Sequence, residues 1–138
     1  MINEHDDVLS SAKSEDGGNP KDRIGSTKPP LGLIPASAEI AESVVMGLGA
    51  RKYGAFNWRR TDIRVTIYID AARRHLAQWI DGEDNDPESG VSHLAHARAS
   101  LGILIDAIAT ANCIDDRPPR GAAAELIKGL TRDVNAEC

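Results

Sequence analysis

Apolar and polar positions recur at helical spacing along most of the chain. Ile40, Val44 and Leu48 stand four apart. They predict one face of a helix that begins near Ala36 or Ser37, with Ser37 as its N-cap, and runs to Leu48, stopping at Gly49. Glu39 and Glu42, three apart, share another face of it. Val65, Ile69, Leu76 and Ile80, with Ala72 as a small contact, predict a second helix over about residues 62–80. The run from Val65 to Ile69 also fits a strand, but AARRHLAQWI continues it without a breaker, which favours helix. A third helix is expected over about residues 90–112, with Leu94, Leu101, Leu104, Ile105 and Ile108 as its core stripe. His93, His96 and Ser100 fall on a neighbouring face. Arg117-Pro118-Pro119-Arg120-Gly121 breaks the chain, and a short last helix follows over about residues 122–132. Strand signals are nearly absent, so the class expected is all-α.

Ahead of the helices, the prolines of KPPLGLIP at residues 28–35 predict an extended segment. Residues 1–27 are polar, acidic and interrupted by Gly17-Gly18 and Asn19-Pro20. They hold too little apolar surface to offset their ordering entropy and read as a flexible acidic tail. One domain over residues 28–133 remains.

Composition narrows the function. The 138 residues are 41% hydrophobic and 27% charged, with a mean hydropathy of −0.31. That is ordinary globular composition, with no run long enough for a membrane span and no secretory signal pattern. Two cysteines, Cys113 and Cys138, exclude a disulfide scaffold or a cysteine-rich zinc fold and suit a reducing cytoplasm. A net charge of −5 disfavours direct nucleic-acid binding, though not a local basic patch.

Four groups of residues could carry chemistry. Glu39 and Glu42 could hold a divalent cation, or form a solvated face near a helix start. His93 and His96, with His75 on the preceding helix, place three of the four histidines within 22 residues, a pattern able to bind a metal ion or a phosphate. The turn DGEDNDPESG at residues 81–90 has five acids and no base. It fails the EF-hand template, since Ser89 and Ala95 stand where Gly and Glu are required, but one or two of its acids could turn inward to a metal. The loop RKYGAFNWRR at residues 51–60 has four bases, no acid and three of the five aromatics. Lys52, Arg59 and Arg60 could neutralise phosphate, Tyr53, Phe56 or Trp58 could stack on a base, and Asn57 could read its edge. Arg73 and Arg74 extend the positive character into the second helix. Phosphate-loop and nucleophile-elbow templates are not met.

Taken together, KPPLGLIP, GARKYGAFNWR, ARRHLAQWIDGEDNDPESG and HLAHARASLGILID, in this order, resemble the phage dATP/dGTP diphosphohydrolase family, related to the MazG-like all-α nucleotide pyrophosphohydrolases. The resemblance covers residues 28–109. It implies a MazG-like helical bundle that hydrolyses dGTP or dATP to the monophosphate and pyrophosphate, in phages that use 2-aminoadenine. It further implies Mg²⁺ held by an E-x-x-E pair, which Glu39 and Glu42 match, and by a second acidic pair. His93 and His96 stand at the second pair's position. That departure leaves open imidazole ligation with Mn²⁺ or Co²⁺, or ligation by Asp70, Asp86 or Glu88. Lys52, Arg59 or Arg74 would then steady the phosphates, Tyr53 or Trp58 would stack on the purine, and Asn57 would read it, with His75 also at the substrate. A homodimer or homotetramer and a cytoplasmic setting, the host's for a phage-encoded chain, are expected. The alternatives are an HD-type triphosphohydrolase, for which the only His-Asp pair is His5-Asp6 in the tail, and a non-catalytic nucleotide-binding or host-interaction protein.

Overall fold

The computed structural model describes residues 18–133. Residues 1–17, with most of the expected tail and the His5-Asp6 pair, lie outside the described residues. The chain divides into two units, Met1–Glu39 and Ile40–Cys138.

In the first unit, α1 (Pro20–Gly25) forms inside the segment expected to be a tail. Asn19 explains it: its side-chain oxygen accepts the Lys21 N–H, and Pro20 occupies the first helical position, where no donor is missed. The proline-rich segment is extended except for a single 3₁₀ turn at Leu31–Leu33. Next comes α2 (Ala36–Tyr53), which carries the chain into the second unit. Its start makes Ser37 a residue of the first turn rather than the cap, and Gly49 lies within it rather than ending it. A glycine inside a helix costs only about 1 kcal/mol, which the surrounding turns outweigh. The stop comes at Gly54, whose φ of 89° only glycine adopts readily. A Cβ at Gly54 would meet nothing closer than 3.7 Å, so the cost of a side chain there is conformational. Gly54→Ala is expected to destabilise the fold by about 1–2 kcal/mol, read as a lowered midpoint in urea denaturation.

The rest of the second unit is built on α3 (Val65–Ile80) packed along α4 (His93–Ala109). The expected strand-or-helix choice at Val65 resolves as helix. Two residues ahead of it, Ile63–Arg64 form β1, which pairs in parallel with β2 (Cys113–Ile114), Ile63 opposite Cys113. This pairing closes the ends of the α3–α4 hairpin. The first turn of α3 is capped from the far end of the hairpin: Thr66 donates its N–H and its hydroxyl to the Asp116 carboxylate at 2.9 and 2.6 Å. Ser92 caps α4 by accepting the Leu94 N–H. The last helix, α5 (Ala123–Leu130), matches the expected position. The architecture is mostly helical, as the class expected requires. Among the described residues no helix is long and apolar enough to cross a membrane.

The core matches the expected stripes at Val65, Ile69, Ala72 and Leu104 and departs from them elsewhere. Trp58, Ile63, Val65, Leu104 and Ala107 form its centre, with Met46, Tyr68, Ile69, Ile103 and Cys113 packed against it. On α4 the buried residues are His93, Ala95, Ala97, Ala99, Leu104 and Ala107, spread over more than one side, while Leu94, Leu101, Ile105 and Ile108 are exposed. Ile40 and Val44 on α2, and Leu76 and Ile80 on α3, are likewise exposed. The buried positions of α4 are thus filled mainly by small alanines, and several larger apolar groups stand on exposed faces.

Candidate functional site

The acidic turn is a hydrogen-bonded element, exposed along most of its length with Asp86 and Ser89 partly covered. Gly82 and Gly90 supply positive φ at its two bends. Asn85 bridges to Ser92, Asp86 N–H donates to the Val91 carbonyl, and His93 N–H donates to the Asp84 carbonyl at 3.0 Å. These bonds hold residues 83–89 against the start of α4. The Asp86 Oδ1 atom accepts the N–H groups of Glu88 and Ser89 at 2.7 and 3.3 Å, an Asx-type turn that fixes the carboxylate.

Three donor residues from three elements meet there. One ligand atom each from His75 on α3, Asp86 in the turn and His96 on α4 lie within 4.8 Å of one another. The His75 and His96 rings are stacked, centroids 4.6 Å apart and planes at 12°. Ser89 Oγ is 2.7 Å from His96 Nε2. Behind this group, His93 is completely buried, its Nδ1 2.8 Å from His75 Nδ1 and its Nε2 2.7 Å from Glu83 Oε1. Burial pushes the His75 imidazole below its ordinary pKa, and the nearby His96 and His93 add to this against the opposing pull of Asp86. Burial raises the Asp86 carboxyl, but the two backbone N–H bonds and the imidazoles of His96 and His75 outweigh it, leaving the group below its usual value. A neutral imidazole beside an ionised carboxylate is the protonation state a cation site needs.

His96, Asp86, Glu88 and Ser89 form one wall of a cavity of about 760 Å³. Its other walls come from the second half of α2, which runs through residues 51–53 so that the expected loop starts only at Gly54, from residues 54–58, and from Tyr68, Ala99, Ser100 and Ile103. The volume lies within the range of small-ligand pockets. Lys52 spans the mouth, its ammonium 3.7 Å from the Glu88 carboxylate in an exposed pair.

The model of the family described as dATP/dGTP diphosphohydrolase, N-terminal, matches residues 18–117. The chain belongs to this family. A relative named dATP/dGTP diphosphohydrolase, from Salmonella phage PMBT28, is 31% identical over 90 residues, which cover 65% of this chain and 30% of the relative. The chain therefore spans less than a third of the length of that relative. No solved structure matches. The region matched by the dATP/dGTP diphosphohydrolase N-terminal family contains every wall of the cavity and the whole His75–Asp86–His96 group.

The remaining expected site residues fall elsewhere. Glu39 lies in the first unit and is exposed. Glu42, in the second, receives the Arg98 Nε–H at 2.7 Å, so its charge is already matched. It fits against α4 because Gly102 has no side chain: a Cβ there would lie 2.5 Å from Glu42 Oε1. Asp70 is exposed on α3, about 140° around that helix from His75 at 3.6 residues per turn. His93 has both ring nitrogens engaged and is set behind the donor group rather than in it. Arg74 is exposed on α3. Trp58, expected as a free stacking ring, is 7% exposed and donates its indole N–H to Asp106 Oδ2 at 2.7 Å. Arg59 is committed to the same carboxylate through two bonds of 2.8 Å, while Tyr53 and Phe56 stand exposed. The expectation missed Glu83 and Asp106. The excess of acid in the turn was the signal for the first.

Among the described residues, the side chains that come together as a group of metal donors are two imidazoles and one carboxylate. Such a mixed set suits divalent ions that accept nitrogen, whereas Mg²⁺ prefers oxygen and keeps its waters.

The Asp106 clamp gives a pH signature. The Arg59 guanidinium and then the Trp58 N–H hold the Asp106 carboxyl below its ordinary value, at about 2. A carboxyl lowered in the folded state contributes stability that is complete above the unfolded pKa and lost as pH falls through the folded one. The stability gap between the parent protein and Asp106→Asn is therefore expected to narrow as pH drops from about 5 to about 2. Urea titrations at several pH values measure it.

Proposed function

We propose that the chain contributes the nucleotide site of a phage enzyme that hydrolyses dGTP and dATP to the monophosphate and pyrophosphate. The observation that carries this reading is a single cavity with imidazole and carboxylate groups on one wall and a basic, aromatic loop on another. The family membership and the relative's printed name support the purine deoxynucleotide as substrate.

In this reading the purine lies against the exposed ring of Tyr53, and Asn57 presents both a donor and an acceptor to its edge. Lys52 leaves Glu88 for the β- and γ-phosphates. Exposed ion pairs are worth at most about 1 kcal/mol, so the exchange costs little. Trp58 and Arg59 hold the loop in place through Asp106. A divalent cation, Mg²⁺, Mn²⁺ or Co²⁺, supplies charge screening and acidifies water when bound. His96 and Asp86 set that wall beside the α-phosphate and orient the water.

The exposed apolar residues of α2 and α4 support a homodimer or homotetramer, and a nucleotide substrate is in keeping with a cytoplasmic setting, the host's for a phage chain. Depletion of dATP and supply of dGMP fit a phage that builds 2-aminoadenine into its DNA.

The test is a panel of nucleoside triphosphates with each of the three ions, products being resolved by chromatography. Release of dGMP or dAMP with pyrophosphate is the expected result. Release of triphosphate, or binding of dGTP without turnover by a protein extended to the length of the relative, would reject it.

A further inference from the structure

We propose that His75, Asp86 and His96 form a binding site for a nitrogen-accepting divalent transition ion of the Mn²⁺, Co²⁺ or Zn²⁺ class, and that Glu83 and His93 act on it as outer partners. The proposal deepens the preceding reading by naming the ion and its ligands, but its test uses no nucleotide.

The hydrogen-bond chain behind the group fixes which atoms can bind. The Glu83 carboxylate can only accept, so His93 carries a proton on Nε2 and donates it to Glu83 Oε1. His93 Nδ1 sits 2.8 Å from His75 Nδ1, so one proton lies between the two nitrogens. In the tautomer the proposal adopts, that proton belongs to His75. His75 in turn keeps its lone pair on Nε2. This is the arrangement in which a metal-binding imidazole gives its other N–H to a protein acceptor and is held in one tautomer. Asp86 Oδ1 is taken by the Glu88 and Ser89 N–H groups, which leaves Oδ2 as the donor. His96 completes the set with a ring nitrogen: Nδ1, or Nε2 once Ser89 Oγ, 2.7 Å away, turns aside.

The spacing suits such an ion after a small adjustment. Bonds of about 2.0–2.1 Å to nitrogen place tetrahedral donors roughly 3.4 Å apart, within the 4.8 Å span of the three ligand atoms. Sharing one ion turns one imidazole out of the parallel stack, a rotation about the soft terminal torsion of histidine. His96 and Asp86 border the cavity, so the ion would have open positions toward it.

The experiment is titration of untagged, chelator-stripped full chain with CoCl₂, followed by d–d absorbance and calorimetry, with MgCl₂ as competitor. The expected result is one Co²⁺ per chain, retained in excess Mg²⁺. Asp86→Asn and His96→Ala should weaken Co²⁺ binding by more than 100-fold. Glu83→Ala, whose side chain is half-exposed, should weaken it by about 10–100-fold with an unchanged circular dichroism spectrum. Glu83→Gln, which keeps an acceptor, should restore part of the loss. Co²⁺ binding that survives in both Asp86→Asn and His96→Ala, or Co²⁺ displaced by equimolar Mg²⁺, overturns the proposal. Co²⁺ bound as described by a protein that turns over no dGTP overturns the hydrolase reading alone. Turnover with Mg²⁺ by a protein that binds no Co²⁺ overturns the ion assignment alone.

Discussion

Replacing Trp58 with alanine is expected to lower the stability of the fold by about 3–5 kcal/mol, the range for truncating a large buried aromatic. The ring is 7% exposed and stands in the core cluster with Ile63, Val65, Leu104 and Ala107. Its loss also removes the indole donor from Asp106 and releases the loop that the carboxylate holds. Against a total of about 5–15 kcal/mol for a typical domain, this is a large share. Urea denaturation followed by circular dichroism measures it, and a loss below 1 kcal/mol would show that the indole is not packed as described. Tyr53→Ala provides the contrast. That ring is 67% exposed, so stability should change by no more than about 0.5 kcal/mol. Nucleotide affinity should fall by roughly 1–3 kcal/mol, the usual worth of one stacked base. The two variants thus separate the aromatic that holds the loop from the one proposed to meet the purine.

If the proposed reaction is this protein's, Asp86→Asn should reduce kcat/KM for dGTP hydrolysis by about 10³-fold, equivalent to ~4 kcal/mol of transition-state stabilisation. The asparagine oxygen can still accept the Glu88 and Ser89 N–H groups, so the turn should persist. What is lost is the negative charge on the cavity wall between two imidazoles. Quantifying pyrophosphate from matched amounts of both proteins tests this. Equal rates would remove Asp86 from the chemistry.

The helices were readable because periodicity survives any choice of which face is buried. Val65 to Ile80 and the run through His93 to Ala109 keep helical spacing throughout, and the acidic turn between them announces itself by composition. The buried face was not readable in the same way. Leu94, Leu101, Ile105 and Ile108 look like a core stripe because they are large, yet α4 buries its alanines. Where a helix is apolar on two sides, closeness of approach decides the interior, and that depends on the partner helix. The end of α2 was misplaced for a related reason: Gly49 and Gly54 look alike in sequence, and only the backbone angle at Gly54 requires glycine.

For the candidate site, the sequence picked out His93 and His96 together but could not divide their roles. Three residues apart on α4, they point about 60° from each other. That turn sends His93 toward Glu83 and His75, and His96 toward the cavity. Asp106 and Asp116 were invisible for a different reason. They reach Trp58 and Thr66 across 48 and 50 residues, and no local pattern records such a partner.

The clamp at Asp106 also sets a length. Asp106 anchors the aromatic loop to the helix that carries His96, ten residues earlier, or roughly 15 Å along the axis of an α-helix. Both ends of the cavity are thereby tied to one rigid rod. A ligand that touches both must match a fixed gauge, and in the proposed pose that gauge is the span from the base to the α-phosphate.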